Sequence, residues 1–257
     1  MAVDSTGAAP APWLGKPLEY RGKVLDQFQI EAVEAIQRHD TLIVAAPTGA
    51  GKTVIAEYAI EQYLETGRRI IYTAPVKALS NQKFRDFGDA WGDQIGIVTG
   101  DVSINSTAPV LIMTTEIFRN TVFDEPERLH DVEYVILDEI HYINDIQRGT
   151  VWEESLIFAP QHIGFICLSA TIPNLDEFAA WIREVRPALD VKVIQETTRP
   201  VPLEHHVWLP GVGEASLKDL DRLDQMAKSK QRRLRPHETR RALGAGMGAG
   251  AIAAAED

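Results

Sequence analysis

Two short clusters in this sequence could do chemistry on a phosphate. The first, Ala46-Pro47-Thr48-Gly49-Ala50-Gly51-Lys52-Thr53, is a run of small residues ending in a cation and a hydroxyl. The second, Asp138-Glu139-Ile140-His141, is an acidic pair with a histidine behind it. Gly49 and Gly51 permit φ > 0 and a close approach of backbone to ligand. Lys52 supplies a point charge for β- and γ-phosphates, and the Thr53 hydroxyl can ligate Mg²⁺. The pattern G-x-x-x-x-G-K-[ST] is met except at its first position, where Ala46 stands. In the second cluster, adjacent carboxylates repel each other unless a cation sits nearby, and Mg²⁺ is the candidate. Asp138 would hold the metal through water, and Glu139 would orient and deprotonate an attacking water, the division of labour that NTP hydrolysis needs. The bland alternatives are a glycine-containing turn for the first cluster and the acidic cap of a helix for the second.

Each cluster needs elements to position it. Leu42 to Ala45 is a short apolar run of the kind a buried parallel strand carries, and the segment from Thr53 onward has a helical pattern. A strand-loop-helix of this sort presents backbone N–H groups at a helix N-terminus, where unpaired donors and the dipole favour phosphate. Upstream, Leu25 to Ile36 places Leu25, Phe28, Ala32, Val33 and Ile36 at helical spacing. Gln29 on that helix could offer a donor and an acceptor to an adenine edge, or be a solvated helix residue. Downstream, strands are expected at residues 68–75, 95–98, 110–115, 134–137 and 162–168, with helices from Val76 to Phe87, from Glu116, from Arg148 and from Asn174. This alternation predicts an α/β fold with a mainly parallel sheet, helices on both faces, and ligands at the carboxyl ends of the strands. Ser169-Ala170-Thr171 follows one such strand and alone reads as an N-cap turn.

Composition bounds the rest. The chain has 257 residues, 45% of them hydrophobic, a net charge of −11 and one cysteine, Cys167. One domain with a tail is expected, with no disulfide within the chain. Neither a leader sequence nor an apolar run of membrane-spanning length is seen, so a soluble, reducing, cytoplasmic setting is expected, without a membrane partner. The acidic balance argues against a surface that grips nucleic acid everywhere, though not against a local groove. Residues 1–16 are Ala/Pro/Gly-rich and expected to be flexible.

In their order, these segments resemble the first RecA-like domain of superfamily 2 helicases. Phe28-Gln29 resembles the adenine-sensing Q motif. Ala46 to Thr53 is similar to motif I, where that family commonly has Ala first. Thr73-Ala74-Pro75-Val76-Lys77-Ala78-Leu79 resembles motif Ia, and Thr99-Gly100-Asp101 with Met113-Thr114-Thr115-Glu116 resembles the next two nucleic-acid-facing segments. Asp138 to His141 matches the DExH form of motif II, and Ser169-Ala170-Thr171 matches motif III. His141-Tyr142-Ile143-Asn144-Asp145, Arg148-Gly149, Val151-Trp152-Glu153-Glu154 and Arg199-Pro200-Val201-Pro202-Leu203-Glu204-His205 narrow the likeness to the superkiller-type, exosome-assisting DExH-box RNA helicases and their bacterial relatives.

The resemblance implies a three-layer RecA-like P-loop NTPase domain over residues 17–208 that hydrolyses ATP with Mg²⁺. It implies that Gln29 and Pro47 to Thr53 bind the nucleotide, that Thr53 and Asp138 hold the metal, and that Glu139 is the general base alongside Lys52, Asp138 and His141. His141, Ser169 and Thr171 would couple hydrolysis to strand movement. Pro75, Lys77, Gly100, Thr114 and Thr115 would lie along a sugar-phosphate backbone, positioning a strand without reading bases. The implied partners are single-stranded or structured RNA, DNA being the lesser alternative, a second RecA-like domain in cis or in trans, and an RNA-decay complex.

After Trp208 no second phosphate site and no QxxGRxGR-like segment is found. Residues 209–257 read as an interdomain linker or tail: a helix from Ala215 to Met226, a basic run from Lys228 to Arg241, then a Gly/Ala tract. The expectation is a fragment, a truncated product or half of a split enzyme, which binds ATP–Mg²⁺ but turns it over slowly without an arginine from a second domain. The basic run reads first as a solvated linker and second as an RNA-phosphate contact. A non-catalytic nucleotide-binding module is the other function class; intact Lys52, Thr53, Asp138 and Glu139 count against it.

Overall fold

The computed structural model describes residues 18–145, 148–170, 172, 174–202, 204, 206–209, 213–216, 220 and 222. Two compact units divide between Val201 and Pro202. The first opens with a small antiparallel pair, β1 (Glu19–Tyr20) and β2 (Lys23–Val24). The chain then alternates: α1 (Gln27–Gln37), β3 (Thr41–Ala45), α2 (Lys52–Leu64), β4 (Arg69–Ala74), α3 (Lys77–Trp91), β5 (Ile95–Val98), β6 (Ser103–Ile104), β7 (Val110–Thr114), α4 (Thr115–Asp124), β8 (Val132–Leu137), α5 (Gly149–Phe158), β9 (Gly164–Ser169), α6 (Leu175–Val185) and β10 (Val191–Gln195). One sheet takes β3 to β10 in the order β10-β3-β9-β8-β4-β7-β5-β6, parallel throughout except for the edge strand β6.

The apolar runs are continuous because both faces of the sheet are covered, and alternate side chains enter different cores. Leu42 and Val44 of β3, Tyr134 and Ile136 of β8, and Ile166 and Leu168 of β9 pack with α1 and α2. Ile43 and Ala45, Val135 and Leu137, and Phe165 and Cys167 pack with α4, α5 and α6. This is the three-layer α/β architecture with a mainly parallel sheet.

The expected strands and helices are present, with shifted ends. Thr115 begins α4 instead of ending β7, because the Thr114 side chain accepts a hydrogen bond from the Ile117 N–H at 3.4 Å and caps the helix there. In this first unit four strands were not anticipated: β1, β2, β6 and β10. β10 pairs with β3 along its whole length, Val191 with Thr41 through Gln195 with Ala45.

In the second unit, β11 (His206–Leu209) and β12 (Gly213–Ser216) form an antiparallel hairpin, with His206 opposite Ser216. The helix expected to begin at Ala215 therefore does not begin there: Ala215 pairs with Val207 as a strand residue. Residues 1–16 and the basic run from Lys228 to Arg241 lie outside the described residues.

Candidate functional site

The carboxyl ends of β3, β9, β8, β4 and β7 stand side by side in that order, and almost every singled-out residue sits on or just after one of them. The first three gather the phosphate-type chemistry. β3 runs into the loop Ala46 to Gly51, whose start is fixed to its neighbour by the Ala46 N–H donating to Ser169 O at 3.1 Å. Gly49 and Gly51 adopt φ of 86° and 91°, the left-handed region, and Gly51 is the N-cap of α2. A Cβ on Gly51 would stand 2.6 Å from Gln29 Nε2, so the turn also needs the missing side chain for space.

Lys52 folds back over this loop, its ammonium donating to Ala46 O at 2.7 Å and Pro47 O at 3.1 Å. Burial lowers the Lys52 pKa, opposed by the charges of Glu139 and Asp138, so a phosphate finds the ammonium partly stripped of water and facing two carboxylates. Thr53 follows Lys52 in the first turn of α2, and its Oγ1 accepts from Lys83 Nζ at 3.4 Å.

β8 delivers Asp138, whose two oxygens are both held. Oδ1 accepts from the Glu139 N–H at 3.1 Å and Oδ2 accepts from the Tyr72 hydroxyl. Tyr72 is fully buried, and burial together with the Asp138 charge pushes its pKa well up, so the phenol stays a donor. Glu139 has φ 55°, uncommon for a residue with a side chain, and its Oε2 lies 3.3 Å from His141 Nδ1. The Glu139 carboxylate thus stands beside the imidazole.

A metal fits this donor set modestly. Among the described residues no group of three or more His, Cys, Asp or Glu could cage a metal ion. Mg²⁺ needs no such cage, since it keeps several waters and takes one or two carboxylates plus substrate phosphates. A rigid Asp138 and the Thr53 hydroxyl are donors of that kind.

Gln29 lies against the glycine loop. It is 5% exposed; its Oε1 accepts from the Asp26 N–H at 2.9 Å and its Nε2 donates to Gly51 O at 3.1 Å, tying the start of α1 to the glycine loop. Beside it, Asp26, Gln27, Phe28, Ala50, Glu196, Thr198 and Pro200 line a pocket of about 290 Å³. Ser169 is fully buried, and its hydroxyl has no hydrogen-bond partner among the described residues; Thr171 lies outside them.

The ends of β4 and β7 build a second depression of about 500 Å³, lined by Pro75, Val76, Lys77, Gly100, Thr114, Glu116, Ile117 and Arg148. Lys77 is paired with Asp101, and Arg148 donates to Pro75 O at 2.6 Å and to the Glu116 carboxylate. Thr115 does not reach this surface: it is fully buried, its hydroxyl donating to Ala74 O at 3.5 Å. Sequence reasoning missed Tyr72, Lys83, Glu116 and the partner role of Arg148. Tyr72 alone carried a signal, a phenol inside the aliphatic strand Arg69–Ala74 that would need a partner.

Comparison with known proteins gives one consistent answer. The DEAD/DEAH box helicase family model matches residues 26–178. The chain is 52% identical over 183 residues to superkiller complex protein 2 of Homo sapiens, covering 71% of this chain and 14% of that protein. It is 53% identical over 185 residues to antiviral helicase SKI2 of Saccharomyces cerevisiae, covering 72% and 14%. It is 44% identical over 200 residues to exosome RNA helicase MTR4 of Homo sapiens, covering 78% and 19%. The chain thus spans less than a fifth of the length of these relatives. Among solved structures, the Pyrococcus furiosus Hef helicase domain matches with a TM-score of 0.51 at 21% identity, over 66% of this chain and 38% of that one, a likeness of fold.

Proposed function

Because the chain belongs to the DEAD/DEAH box helicase family, we propose that residues 17–208 are the ATP-binding domain of an ATP-dependent RNA helicase, in which hydrolysis drives strand movement. The observation that carries this reading is the delivery of Lys52 and Thr53 after β3, and of Asp138 and Glu139 after β8, to one end of one sheet, with β9 between them. RNA is favoured over DNA because relatives at this level of identity include an exosome RNA helicase.

In this proposal the loop N–H groups and Lys52 hold the β- and γ-phosphates, the Lys52 ammonium leaving Ala46 O and Pro47 O to do so. Thr53 and Asp138 hold Mg²⁺, which when bound neutralises charge developing on the phosphate oxygens. Tyr72 fixes Asp138 for that task. Glu139 orients the attacking water and takes its proton, and His141 beside it restricts the carboxylate. Pro75, Lys77, Gly100 and Thr114 face the sugar-phosphate backbone of RNA, with Arg148 bracing the floor of the depression.

Among the described residues no arginine hydrogen-bonds or ion-pairs with Lys52, Thr53, Asp138 or Glu139, and an arginine facing the γ-phosphate would come from a second RecA-like domain, in cis or in trans. An arginine of this kind contributes on the order of 10³–10⁵ in rate at related sites, so these residues alone bind ATP–Mg²⁺ and turn it over slowly. A cytoplasmic setting and association with an RNA-decay complex belong to the same proposal.

The test is RNA-stimulated ATPase activity of the 257-residue chain beside Lys52→Ala and Glu139→Gln, with nucleotide binding measured on the same samples. Binding that Lys52→Ala abolishes, with turnover barely above background, supports the reading. Strong turnover lost in Glu139→Gln would overturn the assignment of the arginine to another domain. A wild-type chain that binds no nucleotide would overturn the whole reading.

A further inference from the structure

Beside the nucleotide loop lies a cation that none of the quoted motifs uses. Lys83 is on α3, its Nζ 3.4 Å from Thr53 Oγ1 and 5.7 and 5.6 Å from the ring centroids of Tyr72 and Phe87. It is half-buried, and among the described residues no carboxylate pairs with it. The other lysines at the two sites have firm partners, two carbonyls for Lys52 and Asp101 for Lys77. Lys83 has one long hydrogen bond and two aromatic faces.

That hydrogen bond is incompatible with the metal role of Thr53. A divalent ion on Thr53 Oγ1 would sit about 2 Å from the oxygen, within roughly 5 Å of an ammonium on the same oxygen. Two like charges at that range, in a half-buried site, repel more strongly than a 3.4 Å hydrogen bond attracts. The ammonium must therefore leave Thr53 when the metal is held there. Asp138 offers no refuge, since as the other metal holder it would again put the ammonium beside the divalent charge. The ammonium stands near the Tyr72 and Phe87 rings at cation–π range, a weak hold that fixes no single direction, so it can leave Thr53 while staying beside them. The anion that arrives with the metal is the nucleotide's own phosphate.

We propose that Lys83 is a phosphate-binding residue of the nucleotide site, which holds Thr53 when no nucleotide is bound and passes to the β- or γ-phosphate oxygens when one is. The inference rests on the ATP-binding reading above. It adds a mechanical link, because Lys83 is on the helix whose first residue, Lys77, lines the second depression. One helix then has a cation at each site.

The charge role is clearest without metal, when Lys83 and Lys52 are the cations facing the phosphates. The experiment measures a fluorescent ADP analogue binding to the full chain, with Mg²⁺ and with EDTA, for wild type, Lys83→Met, Lys83→Arg and Lys52→Ala. Lys83→Met is expected to weaken binding about tenfold in EDTA and distinctly less in Mg²⁺, where relief of repulsion offsets the lost contact. Lys83→Arg is expected to restore most of the loss. Equal affinity of Lys83→Met and wild type in EDTA overturns the inference while leaving the ATP reading intact; a wild type that binds nothing overturns both.

A second readout needs no variant. Acetic anhydride labelling of the native chain, read by peptide mass, is expected to show Lys83 and Lys52 protected by ADP and exposed Lys23 unaffected. Protection of Lys52 with none at Lys83 overturns the inference.

Discussion

The Tyr72 hydroxyl, at the centre of β4, donates to Oδ2 of Asp138, at the end of β8. A fully buried phenol thereby sets the orientation of the carboxylate assigned to the metal. Tyr72→Phe keeps the ring and removes the donor, leaving a carboxylate oxygen without its partner. The expected cost is about 1–3 kcal/mol of stability, read as a fall in Tm. The Mg²⁺ concentration needed for half-maximal nucleotide binding is expected to rise several-fold, which a loss of packing alone would not produce.

Gly51→Ala attacks the loop from its backbone. The added methyl meets Gln29 Nε2 at 2.6 Å, and the φ of 91° is strained for alanine. Nucleotide affinity is expected to drop at least about tenfold while the far-UV circular dichroism is kept, since the strain of about 1 kcal/mol is local. Gln29→Ala, which leaves the glycine free and removes its tie, is expected to weaken binding less.

At the second depression, Lys77 is held by Asp101. Asp101→Asn frees the ammonium and is expected to tighten binding of an oligouridine several-fold at low salt. Lys77→Ala is expected to weaken binding and reduce the slope of log affinity against log salt by roughly 1, as for one phosphate contact. Unchanged binding in both variants would remove Lys77 from the interface.

Cys167 makes alkaline stability a test of the core. Burial pushes its thiol up from 9.0 to about 12, so between those values the folded chain keeps a proton that the unfolded chain gives up. Stability from this group is complete below pH 9 and is lost as pH rises toward 12, by a few kcal/mol in order of magnitude. Urea melts from pH 8 upward are expected to fall more steeply for wild type than for Cys167→Ala. At neutral pH the thiol is expected to react with iodoacetamide at the rate of unfolding.

Arg186 is a buried cation with a wholly structural set of partners. It is 1% exposed and donates to the carbonyls of Leu156, Ala159, Pro160 and Ile163, with its guanidinium 4.7 Å from the Phe165 ring centroid. Arg186→Met is expected to cost about 3–5 kcal/mol, measured by denaturant melts, because several buried acceptors lose their donor together. Arg186→Lys is expected to recover little, since an ammonium cannot reproduce the planar fork.

What the sequence made legible follows from range. β3, β8 and β9 are largely apolar runs because both faces are covered, so local pattern identified them and the residues at or after their ends, Lys52, Asp138 and Ser169. β10 escaped because it is an edge strand, half-exposed from Val191 to Val193 and interrupted by Lys192. The expected helix from Ala215 failed for a different reason: Ala215 and Ser216 are strand residues by pairing with Val207 and His206 in the hairpin just upstream, which their own composition does not announce. The contacts of Tyr72 with Asp138, Lys83 with Thr53 and Arg148 with Glu116 join different elements, and no local spacing encodes them.

The place of β3 in the sheet bears on how the chain is made. Its two neighbours are β9 and β10, so Leu42 pairs with Ile166 and Val191 with Thr41, across most of the folded length. On a ribosome adding roughly 5–20 residues per second, the strand that carries the glycine loop emerges before both partners and waits several seconds for them. Pairings this distant also form late in refolding, because the loop between them must close first. Nucleotide capture by a nascent chain is therefore expected only after Gln195 has left the exit tunnel, and a tethered fluorescent nucleotide would time that moment.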